Sequence, residues 1–218
     1  MGDLRVAVTG AGGEARWYMD AYQRSKYGRL VLLQDINEAA AKEQGEKLGV
    51  PWTTEFDDLL ADDVDVIDVS TPNHLHAPQS VAAMEAGKHV ICQKPMAESL
   101  EACDLMIDAA ERTGRTLGIY MGMHSSPLYH ELREMIRQGV FGVISSVGSR
   151  SAHRGGYEAK DRTGWRGSLE QTGGGAFIQL AIHPVNLLQW LMDDPIVEVT
   201  AMSTNRPVSY THLTLPTN

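Results

Sequence analysis

Apolar and polar positions alternate in two recurring patterns over the first two thirds of the chain. Short runs rich in Val, Ile and Leu predict buried strands, and longer stretches rich in Ala, Glu and Lys predict helices. The predicted strands are residues 4–9, 30–34, 64–69, 89–92 and 116–120. The predicted helices are residues 14–23, 38–48, 78–85 and 99–112, the last with Ser99 as its N-cap. Strands that alternate with helices favour an α/β fold built on a doubly wound parallel sheet.

The pattern changes after about residue 121. A helix over residues 127–137, a β-rich run over 143–150, an apolar helix ending near 192 and a strand over 196–202 follow. We therefore predict a dinucleotide-binding Rossmann domain over residues 1–121. A partial substrate and oligomerisation domain follows over 122–207, an incomplete α/β (α+β) domain with an open sheet.

The last residues do not fit either plan. Residues 208–217 resemble the translated reading frame of a transposon-derived sequencing adapter, so we interpret 208–218 as a non-native tail. An ordinary threonine-rich strand is the alternative. On the first interpretation the second domain is truncated, and exposed sheet edges and apolar surface are expected.

Composition and charge narrow the class of protein. The chain contains 43% hydrophobic residues and has a net charge of −9 without a basic stripe. This excludes a disordered chain and disfavours nucleic-acid and anionic-membrane partners. No apolar run approaches membrane-spanning length. The two cysteines form no disulfide framework, which favours a reducing cytoplasm. Cys92 is interpreted as a small buried strand residue, with a reactive thiol as the alternative.

A glycine-rich turn follows the first predicted strand. Gly10, Gly12, Gly13 and Ala15 fit the spacing G-x-G-x-x-A between a strand and a helix. The first glycine permits a tight turn, the second admits a pyrophosphate close to the backbone, and the alanine keeps helix and strand close. The helix N-terminus favours the phosphate charge. The turn predicts dinucleotide binding, although Glu14 must then point away from the phosphates.

Asp35 ends the second predicted strand, 25 positions after Gly10. An acid at this place can accept hydrogen bonds from the adenosine ribose hydroxyls. No arginine follows for a 2′-phosphate, so NAD is favoured over NADP. A helix N-terminal acid is the alternative interpretation.

The segment after the third predicted strand also lies on the ligand side of the sheet. Its polar residues can contact the cofactor ribose or nicotinamide, and its proline stiffens the turn. The predicted cofactor contacts are Ser70, Thr71, Pro72, Asn73 and His76. His74 and His76 form no metal site without a third ligand, and no metal is predicted.

Lys94 follows the strand over residues 89–92 and precedes a proline. A lysine at the carboxyl end of a strand in an open α/β sheet points into the crevice where ligands bind. Its ammonium group can exchange a proton with a substrate. Gln93 can hydrogen-bond a ribose or substrate hydroxyl, so both residues are predicted cofactor contacts and Lys94 is a predicted catalytic residue.

The late apolar helix carries a polar stripe. Gln179, His183 and Asn186 lie at i, i+4 and i+7, which places them on one face of a regular helix. Buried polar groups need hydrogen-bond partners, and a polyhydroxylated substrate can supply them. A structural histidine paired within the core is the alternative.

Taken together, these residues resemble the Gfo/Idh/MocA oxidoreductases, the relatives of glucose–fructose oxidoreductase and inositol dehydrogenase. The resemblance spans about residues 4–200 and rests on segments in a fixed order. These are residues 10–15, Asp35, residues 71–76, residues 86–90, Lys94-Pro95, Trp165-Arg166, Gly173-Gly174-Gly175 and His183.

The resemblance implies a two-domain NAD-dependent dehydrogenase that moves hydride between nicotinamide and a secondary alcohol of a sugar, cyclitol or related polyol. It implies a homo-oligomer for the full-length protein and a substrate site at Lys94, Trp165, Arg166, Gln179 and His183. His183 is favoured as the base and Lys94 as the group that orients the substrate oxygen, with the reverse assignment left open.

The chain departs from the family pattern at two positions. Gln93 stands where the family usually has glutamate, and Gln179 stands four residues before His183, where the family has aspartate. Neither amide can hold His183 cationic as a carboxylate can. A cofactor-binding sensor without turnover and an NAD-dependent glycosidase are therefore kept as alternative functions.

Overall fold

A computed structural model describes residues 4–13, 15–150, 164–175 and 177–202 of the 218-residue chain. The predicted tail over residues 208–218 lies outside the described residues.

Within the described residues, six parallel strands form one sheet in the order β3-β2-β1-β4-β5-β6. The strands are β1 Leu4–Thr9, β2 Gly28–Gln34, β3 Trp52–Thr53, β4 Val66–Val69, β5 His89–Cys92 and β6 Leu117–Ile119. The order reverses between β1 and β4, which is the topological switch point of a doubly wound sheet. The predicted fold class is confirmed.

Helices cover both faces of this sheet and continue after it. They are α1 Ala15–Tyr18, α2 Ala21–Arg24, α3 Glu38–Leu48, α4 Asn73–Glu85, α5 Leu100–Thr113, α6 Pro127–Arg137, α7 Leu169–Thr172 and α8 Ile182–Met192. The Ser99 hydroxyl accepts a hydrogen bond from the Ala102 N–H at 3.1 Å, which confirms the predicted N-cap of α5. Among the described helices, none has the length and apolar character needed to cross a membrane.

Two buried clusters hold the sheet between its helices. On one face, residues such as Ile67, Met84 and Met106 are fully buried among α4, α5 and the sheet. On the other face, Met19 and Leu33 are fully buried between the sheet and the helices that follow β1 and β2. Removing this apolar surface from water is the main stabilising contribution.

Helix α4 begins five residues earlier than predicted, at Asn73 rather than Pro78. A proline is favoured in the first turn of a helix, so the sequence alone does not place Pro78 inside one. In the structure Pro72 precedes the helix and Pro78 lies inside it. Asn73 and His76 therefore belong to the first turns of α4 and not to a loop.

Three other element predictions are wrong. The helix predicted over residues 14–23 is divided into α1 and α2. The runs over residues 143–150 and 196–202 are not strands, and Val143 is 97% exposed and Val197 91% exposed. A strand needs a paired neighbour, and within the described residues neither run has one.

Lys88, in the segment that leads into β5, is a structural residue. It is 5% exposed, and its Nζ donates hydrogen bonds to the carbonyl oxygens of Ala61 at 2.6 Å and Val64 at 3.0 Å. These bonds hold the turn before β4 against the start of β5.

A Lys88→Met substitution is expected to lower the free energy of unfolding by about 2–3 kcal/mol, because it leaves the buried Val64 carbonyl and the part-buried Ala61 carbonyl without their donor. Urea denaturation followed by circular dichroism measures the change. Lys47→Met on the exposed surface of α3 is the control and should be neutral. An unfolding midpoint for Lys88→Met equal to that of the control would contradict the assignment.

Candidate active site

A cavity of about 690 Å³ opens at the carboxyl ends of the strands, where the strand order reverses. The loops after β1, β2, β4 and β5 form its walls, and Trp165, Arg166, Gln179 and Leu180 contribute to its remaining side. Fourteen of the predicted site residues line it: Gly10, Gly12, Gly13, Asp35, Ser70, Thr71, Pro72, Asn73, His76, Gln93, Lys94, Trp165, Arg166 and Gln179. Ala15 and His183 do not.

The glycine-rich turn brings the backbone of β1 close to the loop after β4. Gly10 has φ +97°, and a Cβ at this position would lie 2.6 Å from the Ser70 carbonyl oxygen. A Cβ at Gly12 would meet nothing within 4 Å, so this part of the turn is open on the cavity side. Ala15 is fully buried and packs in the core beneath the turn. The close approach at Gly10, the open space at Gly12 and the buried Ala15 are the three features that a dinucleotide-binding turn requires.

Asp35 is held at the end of β2 beside the glycine-rich turn. Its Oδ2 accepts from the Ala11 N–H at 2.7 Å, and its Oδ1 accepts from the Asn37 N–H at 2.8 Å. A carboxylate accepts about four hydrogen bonds, so it retains acceptor capacity for ribose hydroxyls. Arg16 donates to the Ala11 carbonyl at 3.0 Å and lies 3.5 Å from Glu43, and it does not line the cavity.

His76 connects two walls of the cavity. The residue is 1% exposed, and its ring nitrogens lie 2.9 Å from the Pro95 carbonyl and 2.8 Å from the Thr71 carbonyl. Burial lowers the pKa of His76, and the backbone carbonyls oppose this shift. Both nitrogens are engaged with protein, so the ring braces the loop after β4 against the loop after β5.

Asn73 fastens a distant segment to the sheet. It is 2% exposed, and its Nδ2 donates to the Thr172 carbonyl oxygen at 3.0 Å. Thr172 belongs to residues 164–175, which we call the covering segment. Next in sequence, Gly173 has φ +78°, and a Cβ there would overlap the Glu98 carbonyl group. Sequence reasoning recognised Asn73 and Gly173 but missed this function, which depends on a contact between residues 99 positions apart.

Gln93 and Lys94 continue from β5 into the cavity. Gln93 is 6% exposed, and Lys94 is half-buried with its Nζ 3.5 Å from the Gln179 carbonyl oxygen. The Lys94–Pro95 peptide bond is cis. Cys92 is fully buried, as predicted, and burial raises the pKa of its thiol to about 12. The thiol is therefore protonated at neutral pH and is not a nucleophile.

Trp165 and Arg166 reach the cavity from the covering segment. The Arg166 guanidinium lies over the Trp165 ring, 4.6 Å from its centroid. Its Nη2 lies 3.5 Å from the position that a Cβ would take at Gly13. Arg166 is thus a cation beside the glycine-rich turn, a position that its place in the sequence did not indicate.

A π-helical turn over Phe177–Ala181 precedes α8. Its i→i+5 hydrogen bonds widen the turn, so four residues no longer complete one turn. Gln179 lines the cavity, whereas His183 is half-buried in the first turn of α8 and does not line it. The predicted polar stripe therefore reaches the cavity at Gln179 and not at His183, and it begins in a π-helical turn instead of the regular helix that was assumed.

Further lining residues carried no signal in the sequence. Gln34, Thr54, Phe56 and Gln79 contribute polar and aromatic surface to the cavity. Among the described residues, no group of three or more His, Cys, Asp and Glu side chains is arranged to hold a metal ion.

The profile of a known domain, described as an oxidoreductase family with an NAD-binding Rossmann fold, matches residues 4–121. The chain belongs to the GFO/IDH/MocA oxidoreductase family. A second profile, that of the GFO/IDH/MocA C-terminal domain, matches residues 129–212. The resemblance inferred from the sequence is confirmed, and so is NAD as the cofactor type of the first domain.

Individual relatives agree with this family. A 1,5-anhydro-D-fructose reductase of Ensifer adhaerens is 30% identical over 91% of this chain and 60% of the relative. A D-glucoside 3-dehydrogenase of Escherichia coli is 32% identical over 89% of this chain and 56% of the relative. The WlbA dehydrogenase of Chromobacterium violaceum, solved with NADH and UDP-GlcNAcA, superposes with a TM-score of 0.76 at 30% identity. That match covers 88% of this chain and 56% of WlbA. The chain spans little more than half the length of these relatives.

Proposed function

We propose that the chain forms the cofactor site of an NAD-dependent dehydrogenase that moves hydride between nicotinamide and a secondary alcohol of a sugar, cyclitol or related polyol. One observation carries this proposal. One cavity is lined by the glycine-rich turn after β1 and Asp35 after β2 on one side of the switch point, and by Lys94 after β5 on the other side. The names of the relatives, a sugar reductase and a glucoside dehydrogenase, support the substrate class.

The residues present fit a dinucleotide. A volume of about 690 Å³ lies within the usual range of small-molecule sites, about 300–1,000 Å³. Asp35 keeps acceptor capacity for ribose hydroxyls, and its negative charge opposes a 2′-phosphate. NAD is therefore favoured over NADP, although one relative from Haloarcula marismortui is named as NADP-dependent. Arg166, beside Gly13, is proposed to contact the pyrophosphate as well as the substrate.

The catalytic assignment uses Lys94 and His183. A bound nicotinamide cofactor would supply the hydride acceptor. Lys94 donates a hydrogen bond to the substrate oxygen, and its charge stabilises the negative charge that develops there. His183 does not line the cavity, so its assignment as general base rests on the family resemblance, and Lys94, which does line the cavity, is the alternative base. General-base help typically contributes about 10²–10⁴ in rate. Because Gln93 and Gln179 are neutral amides, the proton is not stabilised on His183 by either of them.

Domain organisation, compartment and assembly are further parts of the proposal. We propose a boundary between a cofactor domain over residues 1–121 and a substrate domain over 122–207, which the two matched profiles support.

Cys92 and Cys103 are free thiols, which supports a reducing compartment such as the cytoplasm. Assembly into a homo-oligomer remains a prediction from the family.

A Gly12→Ala substitution is expected to weaken NADH binding by about tenfold or more, because the added methyl group occupies the space where backbone approaches the pyrophosphate. The protein itself has room for the methyl group, so the unfolding midpoint should not change. NADH fluorescence titration and thermal unfolding measure the two quantities. Gly148→Ala is the control, since a Cβ there also meets nothing within 4 Å but lies outside the cavity. Equal NADH affinity for both variants would contradict the prediction.

Incubation of the protein with NAD and a panel of sugars and polyols tests the proposed function. NADH accumulation with one class of polyol is the expected result. Release of a glycan without net NADH would indicate a glycosidase of the same superfamily, and binding without any reaction would indicate a sensor. Either of these results would refute the dehydrogenase assignment.

A further inference from the structure

Asp68 is a buried carboxylate in β4, directly behind the cavity wall. It is 2% exposed, and none of the ion pairs among the described residues includes it. Three hydroxyl groups surround it instead. Tyr22 donates to Oδ2 at 2.7 Å, and the Tyr18 and Ser70 hydroxyl oxygens lie within hydrogen-bond distance of Oδ1, at 3.0 and 2.9 Å. The pKa of Asp68 is raised, because burial outweighs the three hydroxyl groups, which lower it. Removing an acid from water costs free energy, and packing of the sheet does not require an acid at this position. Its three hydroxyl partners therefore indicate a specific role.

Tyr18 connects this carboxylate to the cavity. Its hydroxyl group is hydrogen-bonded to the Ser70 hydroxyl and contacts the Gln93 side chain. Ser70 and Gln93 both line the cavity, at the ends of the neighbouring strands β4 and β5. The Tyr18 ring stacks on Tyr120, with centroids 5.7 Å apart and an interplanar angle of 26°. The hydroxyl group is therefore fixed in place behind both cavity residues.

The direction of the hydrogen bonds follows from the number of protons. A tyrosine or serine hydroxyl has one proton to donate and two lone pairs to accept with. The Tyr18 proton goes either to Asp68 or to the Ser70 oxygen, and in the second case Ser70 donates its own proton to Asp68. In both cases the Tyr18 oxygen presents a lone pair to Gln93. It therefore faces the NH₂ end of the Gln93 amide, which alone can donate. The carbonyl end of that amide then points away from Tyr18.

We propose that Asp68, Tyr18 and Ser70 are positioning residues that fix the Gln93 amide so that its carbonyl oxygen serves the nicotinamide half of the cofactor. This rests on the proposed function, since it concerns how that cofactor is held. Asp35, the residue assigned to the adenosine half, ends β2, which lies two strands from β4 in the sheet. We therefore expect the network of Asp68, Tyr18 and Ser70 to affect the nicotinamide half of the cofactor and not the adenosine half.

The same network explains why position 93 has a glutamine in this chain. A glutamate carboxylate has no proton for the Tyr18 oxygen. It would also place a second negative charge near the buried Asp68, which is costly in a poorly solvated site. The neutral amide satisfies Tyr18 without that charge. Position 93 and position 68 are thus coupled.

Binding of NADH and of ADP-ribose to Tyr18→Phe and Tyr22→Phe tests the network. Tyr22 donates to the same carboxylate through Oδ2, so its variant removes a comparable hydrogen bond at Asp68 and serves as the matched control. We expect Tyr18→Phe to weaken NADH binding by about tenfold and to leave ADP-ribose binding unchanged. Tyr22→Phe should change neither affinity. Equal losses for both ligands, or no loss of NADH affinity, would overturn the proposal.

A double-substitution cycle tests the coupling directly. Gln93→Glu alone is expected to weaken NADH binding by about tenfold, and addition of Asp68→Asn should restore most of it, because the second charge is removed. Losses that simply add would overturn the proposal. Wild-type protein that binds neither NADH nor ADP-ribose would refute the proposed function itself. Wild-type protein that binds both, with Tyr18→Phe unaffected, would refute the network alone.

Discussion

Replacing Lys94 by methionine is expected to abolish polyol oxidation while leaving NADH affinity nearly unchanged. Methionine keeps a long apolar side chain but cannot donate a hydrogen bond or carry a positive charge. Loss of one such group at a developing oxyanion typically costs about 10²–10³ in kcat. Lys94 follows β5, whereas the turn and the acid assigned to the adenosine half follow β1 and β2. The kcat is measured by NADH absorbance, with a polyol that the unchanged protein oxidises, and the affinity by NADH fluorescence.

Lys42→Met is the control for this experiment, because Lys42 is an exposed lysine on α3 and lies outside the cavity. It should leave kcat and NADH affinity unchanged. A Lys94→Met protein that turns over at the rate of the control would remove Lys94 from the catalytic assignment. A Lys94→Met protein that mainly loses NADH affinity would make Lys94 a cofactor-binding residue without a catalytic role.

Gly173→Ala is expected to detach the covering segment from the sheet. The new methyl group would overlap the Glu98 carbonyl group, and the left-handed backbone conformation adds strain of about 1–3 kcal/mol. Arg166 would then lose its place beside the glycine-rich turn. We expect trypsin to cleave after Arg166 more rapidly and kcat/KM to fall by about tenfold or more, since small misplacements of binding groups are costly.

Gly175→Ala separates the effect of backbone strain from the effect of the collision with Glu98. Gly175 also has a positive φ, +58°, but a Cβ there would meet nothing within 4 Å. It therefore shares the backbone strain without the collision at Glu98. We expect Gly175→Ala to be less stable than wild type but to keep slow cleavage after Arg166. Equal protease sensitivity of the two variants would show that the collision at Gly173 is not what holds the segment.

Much of the fold could be predicted from local patterns. The apolar runs of β1 and β5 and the helix α3 have the predicted bounds, because a buried strand and an amphipathic helix each impose a residue period that can be read locally. The start of α4 could not be predicted, since Pro78 is tolerated inside it. Residues 143–150 have strand-like composition but no partner strand among the described residues, and pairing is a property of the whole sheet.

The residues of the candidate site could be predicted where a single segment of the sequence shows both the residue type and its position at a strand end. The glycine-rich turn, Asp35 and Lys94 lie at strand ends, and parallel topology brings strand ends together. The position of Arg166 beside Gly13 could not be predicted, because it depends on contacts of the covering segment with α4 and with Glu98. The role of Asp68 was hidden as well, since an acid within an apolar strand gives no indication of its hydroxyl partners.

The hydrogen bond from Asn73 to Thr172 has a thermodynamic consequence. It ties α4, which lines the proposed cofactor site, to the covering segment, which contains two of the proposed substrate residues. If binding of either ligand favours this position of the covering segment, the two binding equilibria are linked, and linkage is reciprocal. A cofactor that favours this position of the segment strengthens polyol binding by a certain factor, and the polyol then strengthens cofactor binding by the same factor.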